Sequence, residues 1–229
     1  LFFREDALFL EEFEKVFNVH FKEPRNYLKI IQALQKKTLN LDELARCLKM
    51  KSSGGVKAYV ENLMMAEFIR PVHSYVYEQS RFVKYKIADE FVNFYLHFVL
   101  PHKRIIQEGG GPSLLKSTLS KQLMPWMGFA FENYVMNNAL YFAKKLGFSD
   151  KVVSYGPYFK KTEGVQVDLL YLRSDKTLSI CEMKFRDAPI STEIIPEMES
   201  KLKKLPIKRN CSIHKVLLAP NGISEALRN

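Results

Sequence analysis

Residues 165–185, VQVDLLYLRSDKTLSICEMKF, leave this chain few options. Two runs rich in β-branched and aliphatic residues, 165–172 and 178–185, flank the polar stretch Arg173-Ser174-Asp175-Lys176-Thr177. Such a pattern predicts two antiparallel strands joined by a turn. With the turn centred on Asp175, residues whose numbers sum to 350 face one another. Asp168 then lies opposite Glu182, with Cβ atoms roughly 5 Å apart. Lys184, two residues beyond Glu182, shares its face.

Three ionisable groups therefore converge on strands that are otherwise core material. Burying them is costly unless they pair or bind a metal. Two carboxylates this close raise each other's pKa unless a cation lies between them. A hard divalent cation with oxygen ligands, Mg²⁺ or Mn²⁺, meets that need, and the lysine is then placed to orient water and stabilise developing negative charge. An inert ion-paired hairpin on a solvated face fits the same residues.

The spacing D-x(13)-E-x-K, with Glu182-Met183-Lys184 as the E-x-K, resembles the active site of the PD-(D/E)XK nuclease superfamily, over about the last 105 residues. That resemblance implies Asp168 and Glu182 as metal ligands, and Asp168, Glu182 and Lys184 as the groups that support phosphodiester hydrolysis. In the superfamily the first core helix often carries a glutamate that assists the metal, and Glu132, on an expected helix over 126–146, matches that position. A surface glutamate is the plain alternative. The segments that follow, a strand over 152–159, the hairpin, a helix over 192–205 and a strand over 213–219, complete the superfamily's αβββαβ order.

Charge bears on the partner. The 229 residues hold 35 basic against 25 acidic side chains, a net +10, which suits a polyanion such as nucleic acid. Lys201, Lys203, Lys204, Lys208 and Arg209 form a basic run suited to phosphates or, equally, to a solvated helix face. Cys47, Cys181 and Cys211 have no metal-ligand spacing and read as free thiols of a reducing compartment. The longest apolar stretch, 91–100, is well short of the ~20 residues that span a bilayer. The acidic start LFFREDALFLEEFEKVF is unlike a signal peptide. A soluble cytoplasmic protein is expected, without a membrane partner.

Residues 1–22 carry Leu8, Phe9, Phe13, Val16 and Phe17 near helical spacing. They predict a short helix, the remnant of a linker to a preceding domain, since the chain starts with Leu and reads as a piece of a longer protein. Residues 23–88 read as helix, helix, helix, hairpin. Pro24 opens the first helix, Asn40 caps the second, and Lys51-Ser52-Ser53-Gly54-Gly55 turns the chain into the third. Strands are expected over 68–76 and 81–87. That order is a winged-helix pattern. Its third helix usually enters the major groove, which makes Ser52, Ser53, Lys57 and Asn62 candidate nucleic-acid contacts, with Arg81 and Lys84 on the wing. Protein contact is the alternative use of such a module.

Asp89 caps a helix over 90–100 that Pro101 should stop, and Gly109-Gly110-Gly111-Pro112 reads as a flexible linker. The phrase YKIADEFVNFYLHFVLPHKRIIQEG resembles the family of archaeal-type AAA+ ATPases that carry a C-terminal domain of unknown function. The family's architecture implies an ATPase domain ahead of this piece, then a winged helix, then a PD-(D/E)XK-like domain. The chain itself has no G-x-x-x-x-G-K-[ST], so ATP hydrolysis is not assigned to it.

The expected organisation is α+β: a winged-helix domain over 23–88, a connecting helix and linker over 89–112, and an α/β restriction-endonuclease-like domain over 113–229. The expected function is Mg²⁺- or Mn²⁺-dependent hydrolysis of DNA. The rivals are a non-catalytic DNA- or protein-binding module that regulates the ATPase, and a structural protein-contact domain.

Overall fold

The computed structural model describes residues 2–50, 53–72, 83–160, 164–207 and 210–228. Ser52 and Arg81 of the candidate nucleic-acid contacts lie outside them, as do Lys208 and Arg209 and the inner ends of the strands expected over 68–76 and 81–87. The protein mixes helices with a two-stranded and a four-stranded sheet. The described residues fall into two compact units, one before and one from residue 124.

In the first unit, α1 (Glu12–His20) buries Phe13 and Phe17. Phe13 stacks on Tyr95 with ring centroids 4.9 Å apart, and the Tyr95 hydroxyl donates to the Leu10 carbonyl at 3.1 Å. The segment expected as a linker remnant is thus part of this unit's core. Pro24 opens α2 (Pro24–Lys36). Asn40 caps α3 (Leu41–Leu48) in a reciprocal box, its side chain accepting from the Glu43 N–H while the Glu43 carboxylate accepts from the Asn40 N–H. α4 (Ser53–Met65) includes Gly54 and Gly55, which are helical rather than a turn. β1 (Ile69–Val72) and β2 (Lys84–Ile87) pair antiparallel, and Leu39 bridges to Tyr85 at their margin.

Asp89 caps α5 (Glu90–Phe94), accepting from the Phe91 and Val92 N–H groups. Pro101 does not stop the helical path. A wide π turn over Tyr95–Val99 and a 3₁₀ turn over Leu100–His102, with Pro101 in its first positions, carry the chain into α6 (Lys103–Ile105). In a first turn the missing N–H of proline has no helical partner to lose. The break falls at Gly109, whose φ of 84° lies in the left-handed region. The glycine stretch is no open linker either. Gly111 begins α7 (Gly111–Leu114) and is buried, so close to the chain's start that a Cβ there would lie 2.2 Å from the Phe3 carbonyl oxygen.

A π turn over Leu115–Leu119 leads to α8 (Ser120–Asn137) and α9 (Ala139–Lys145). The second unit's sheet runs in the order β3 (Val152–Lys160), β4 (Val165–Arg173), β5 (Thr177–Met183), β6 (Ser212–Leu218). The first three are antiparallel neighbours, and β6 runs parallel to β5. α10 (Ile194–Leu202) lies in the crossover between β5 and β6, and α11 (Glu225–Arg228) ends the described chain. One sheet face packs Leu169, Tyr171, Cys181 and Met183 against Val135, Ala139 and Ala143 of α8 and α9. The Tyr171 hydroxyl donates to the Ala139 carbonyl there. Leu170, Leu178 and Ile180 line another core with Leu205, and Ile190, Ile194 and Met198 a third. None of the described helices is long and apolar enough to cross a membrane.

Candidate functional site

The β4–β5 register pairs Leu169 with Cys181 and Leu172 with Leu178, every pair summing to 350. The ladder ends at Leu169 and Cys181, one step before Asp168 and Glu182. Two features of β4 and β5 account for the end. On the β3 side the register shifts between Gly156↔Leu170 and Tyr158↔Val167, so Asp168 and Leu169 together oppose Pro157. This bulge puts Val167 in the same core as Leu170, although strict alternation would separate them. On the β5 side the Met183 N–H donates to Asp168 Oδ2 at 3.0 Å, a side chain taking the donor beyond the last ladder pair. β5 meanwhile stays paired to β6 through Met183↔Leu218, and the Lys184 N–H donates to the Leu218 carbonyl. Asp168, Glu182 and Lys184 are thus collected where the β4–β5 ladder ends, at the carboxyl end of β5.

Glu182 is fully buried. Its Oε2 accepts from Lys201 Nζ on α10 at 2.5 Å, while its Oε1 is buried with no hydrogen-bond partner among the described residues. Lys184 Nζ donates to Glu197 Oε1 at 2.8 Å, and Lys201 Nζ lies 3.1 Å from the same oxygen. Glu197 and Lys201 are four residues apart on α10 and so share a helix face.

Electrostatics tie the cluster together. Burial first, then the charge of Asp168, push the Glu132 carboxyl up to about 7. The same two causes in the same order push Glu182 up to about 7, against the opposing effect of Lys201. Burial raises Asp168 although the Met183 N–H works the other way. Burial would also raise Glu197, but hydrogen bonds from Lys184 and Lys201 outweigh it and hold this carboxyl low. Two ammonium groups, Lys184 and Lys201, reach Glu197, whereas Lys201 alone is hydrogen-bonded to Glu182.

Among the described residues no three His, Cys, Asp or Glu side chains group to hold a metal ion. Glu132 feels Asp168 and Glu182 without joining them in such a trio. Asp168 and Glu182 fit a Mg²⁺ or Mn²⁺ ion as a pair: both donate only hard oxygen, one Glu182 oxygen is buried without a partner, and such ions keep water in most positions.

Sequence reasoning passed over Glu197 and took Lys201 only as one member of a basic run. The i, i+4 spacing of an acid and a base beside Ile194 and Met198 was the available signal. Elsewhere, Lys57 is exposed on α4 and pairs with Glu61 at 3.7 Å. The Asn62 amide donates to the Tyr27 hydroxyl at 2.8 Å, within its own unit. Ser53 begins α4 and Lys84 begins β2.

The DUF234 family model, described as archaeal and bacterial proteins of unknown function, matches residues 95–200. That span includes Glu132, Asp168, Glu182, Lys184 and Glu197 and ends one residue before Lys201. An uncharacterized protein of Methanocaldococcus jannaschii is 27% identical over 188 residues, 80% of this chain and 41% of the relative. The chain therefore spans about two fifths of that relative's length. Among solved structures, reduced HlyU from Vibrio cholerae is 18% identical with a TM-score of 0.31, covering 41% of this chain and 96% of its own.

Proposed function

We propose that this chain is a metal-dependent DNA phosphodiesterase module, a winged helix followed by a PD-(D/E)XK-like domain, forming the C-terminal part of an ATPase. One observation carries the reading. Glu182, fully buried with one oxygen unpartnered, lies beside Asp168 where the β4–β5 ladder ends. Lys201 meets one of its oxygens, and a fold gains nothing from leaving the other buried and unpartnered unless a further cation reaches it. Supporting it are Glu132 and Lys184, which act electrostatically on the same place, and the net charge of +10.

Asp168 and Glu182 would hold Mg²⁺ or Mn²⁺, with Glu132 assisting at the edge of the shell. When bound, the ion would supply charge stabilisation for the oxygens on phosphorus as water attacks the phosphorus atom. Lys184 orients the attacking water, and its ammonium stabilises the negative charge that grows on phosphorus-bound oxygen. Glu197 fixes Lys184 in place through the 2.8 Å hydrogen bond. The exposed Lys57, with Lys84 on the wing, provides phosphate contacts that position the duplex. Calorimetric titration of Mn²⁺ into the wild type and Asp168→Ala, with plasmid nicking on the same samples, tests the reading. Binding that the variant lacks, together with metal-dependent nicking, supports it; a wild type that binds no Mn²⁺ overturns it.

A second reading has its own observation. Lys201 already neutralises Glu182, as expected of an ion-paired structural cluster in a non-catalytic module that docks on the ATPase and regulates it. Wild-type protein that binds DNA but neither Mn²⁺ nor cleaves would favour this one.

A further inference from the structure

Lys201 occupies one oxygen of the carboxylate that a metal would use. Its Nζ sits 2.5 Å from Glu182 Oε2, on a side chain that is fully buried and whose other oxygen has no partner among the described residues. The same Nζ is 3.1 Å from Glu197 Oε1. Glu197 also receives Lys184. Four carboxylates, Glu132, Asp168, Glu182 and Glu197, thus face two ammonium groups. With every group ionised the cluster keeps two negative charges, the complement of one divalent cation.

From this geometry we propose that Lys201 is a tethered cation that fills the Glu182 position in the metal-free protein and is displaced toward Glu197 when a divalent ion enters. The inference rests on the metal reading of Asp168 and Glu182 and adds a positioning residue to it. Lys201 prevents Glu182 from standing as a bare buried charge, which would cost several kcal/mol. A divalent ion held at the unpartnered Oε1 would share one carboxylate with the Lys201 ammonium, and the repulsion between the two cations drives Lys201 off Oε2. Glu197 makes the exchange local, for it is already within bonding distance of Lys201. The released ammonium stays beside the site, where a phosphate group can receive it.

Competition makes Lys201 unlike an ordinary supporting residue. A lysine that merely holds Glu182 in position would weaken metal binding when removed. A competitor would strengthen it. Lys201→Met keeps an unbranched apolar stem and removes the ammonium, and is expected to bind Mn²⁺ about tenfold more tightly than wild type, because the ion no longer displaces a resident charge. Affinity that is unchanged or weaker overturns the proposal. A wild-type measurement decides if the variant does not fold. Acetic anhydride labelling of Lys201, followed by peptide mass spectrometry with exposed Lys203 as internal standard, should rise with Mg²⁺ occupancy; labelling that stays flat or falls overturns the proposal. The two levels of argument separate cleanly. Wild type without Mn²⁺ binding removes the metal reading and this inference together. Binding lost in Asp168→Ala, yet no tighter in Lys201→Met or with Lys201 labelling flat, removes this inference alone.

Discussion

Glu182 and Glu132 hold their protons to about 7, well above the ordinary value of 4.5, because burial and the neighbouring Asp168 disfavour a second negative charge. A carboxyl whose folded pKa is raised adds stability that is complete below the unfolded pKa and disappears as pH rises through the folded one. The metal-free protein should therefore lose melting temperature between about pH 4.5 and pH 7 through these two groups. Saturating Mg²⁺ should flatten that profile, since it stabilises the ionised forms, and a profile unchanged by Mg²⁺ would count against the metal reading. Glu132→Gln keeps the shape without the charge. At pH 8 it should stabilise the metal-free protein by on the order of 1 kcal/mol, solvent screening discounting the full shift of this partly exposed group. Chemical denaturation of both proteins at pH 5 and pH 8 checks this: the gain belongs at pH 8 only. Lys184→Ala is expected to abolish cleavage, by a factor of at least about 10², while Mn²⁺ affinity stays within a few-fold, because its ammonium contacts Glu197 rather than a ligand oxygen. Wild-type cleavage in that variant would remove Lys184 from the mechanism.

The elements differ in how plainly their boundaries are written. α3 is the clearest, since Asn40 and Glu43 satisfy each other's backbone donors; Asn40→Ala should lower stability by about 1 kcal/mol in thermal denaturation. The hairpin was equally legible: a five-residue polar turn between two β-branched runs fixes the register, and the observed pairs keep the sum of 350. What that sum does not contain is the bulge opposite Pro157 or the end of the ladder at Leu169 and Cys181. Both are settled by contacts with β3 and β6, which the local pattern of β4 cannot record. The glycine stretch misled for a related reason. Composition makes Gly109-Gly110-Gly111-Pro112 a linker, whereas the structure uses the missing side chain at Gly111 so that the Phe3 backbone can pass within reach of it. Gly111→Ala should accordingly destabilise the first unit by about 1–3 kcal/mol, the range for overpacking where backbone must shift; a neutral effect would mean that the chain start is held loosely there. Glu197 and Lys201 were legible as a helix face but not as part of the site, because only the β5–α10–β6 crossover brings α10 to Glu182.

Charge on the scale of the whole chain bears on whether nucleic acid is the partner. The surplus is shared, with 19 basic against 14 acidic residues before position 124 and 16 against 11 from there on, so each part carries five net positive charges. Neither part alone is a strongly basic tail, and charge so divided binds a polyanion well only where lysines and arginines gather on one face. Salt dependence tells gathered charge from dispersed charge. A surface that neutralises about five phosphates releases their counterions and gives a slope of about −4 to −5 in log K against log salt, whereas dispersed charge gives a slope near zero. We expect duplex binding to fall with such a slope between 50 and 200 mM salt. Lys57→Ala should make the slope shallower by about one, as the loss of a single phosphate contact requires. Mn²⁺ site variants should leave the slope alone, because Asp168 and Glu182 contribute no positive charge to the footprint. A slope near zero in the wild type would withdraw DNA as the partner even if Mn²⁺ bound tightly, and would leave a metal-binding module whose substrate is carried by something other than phosphate charge.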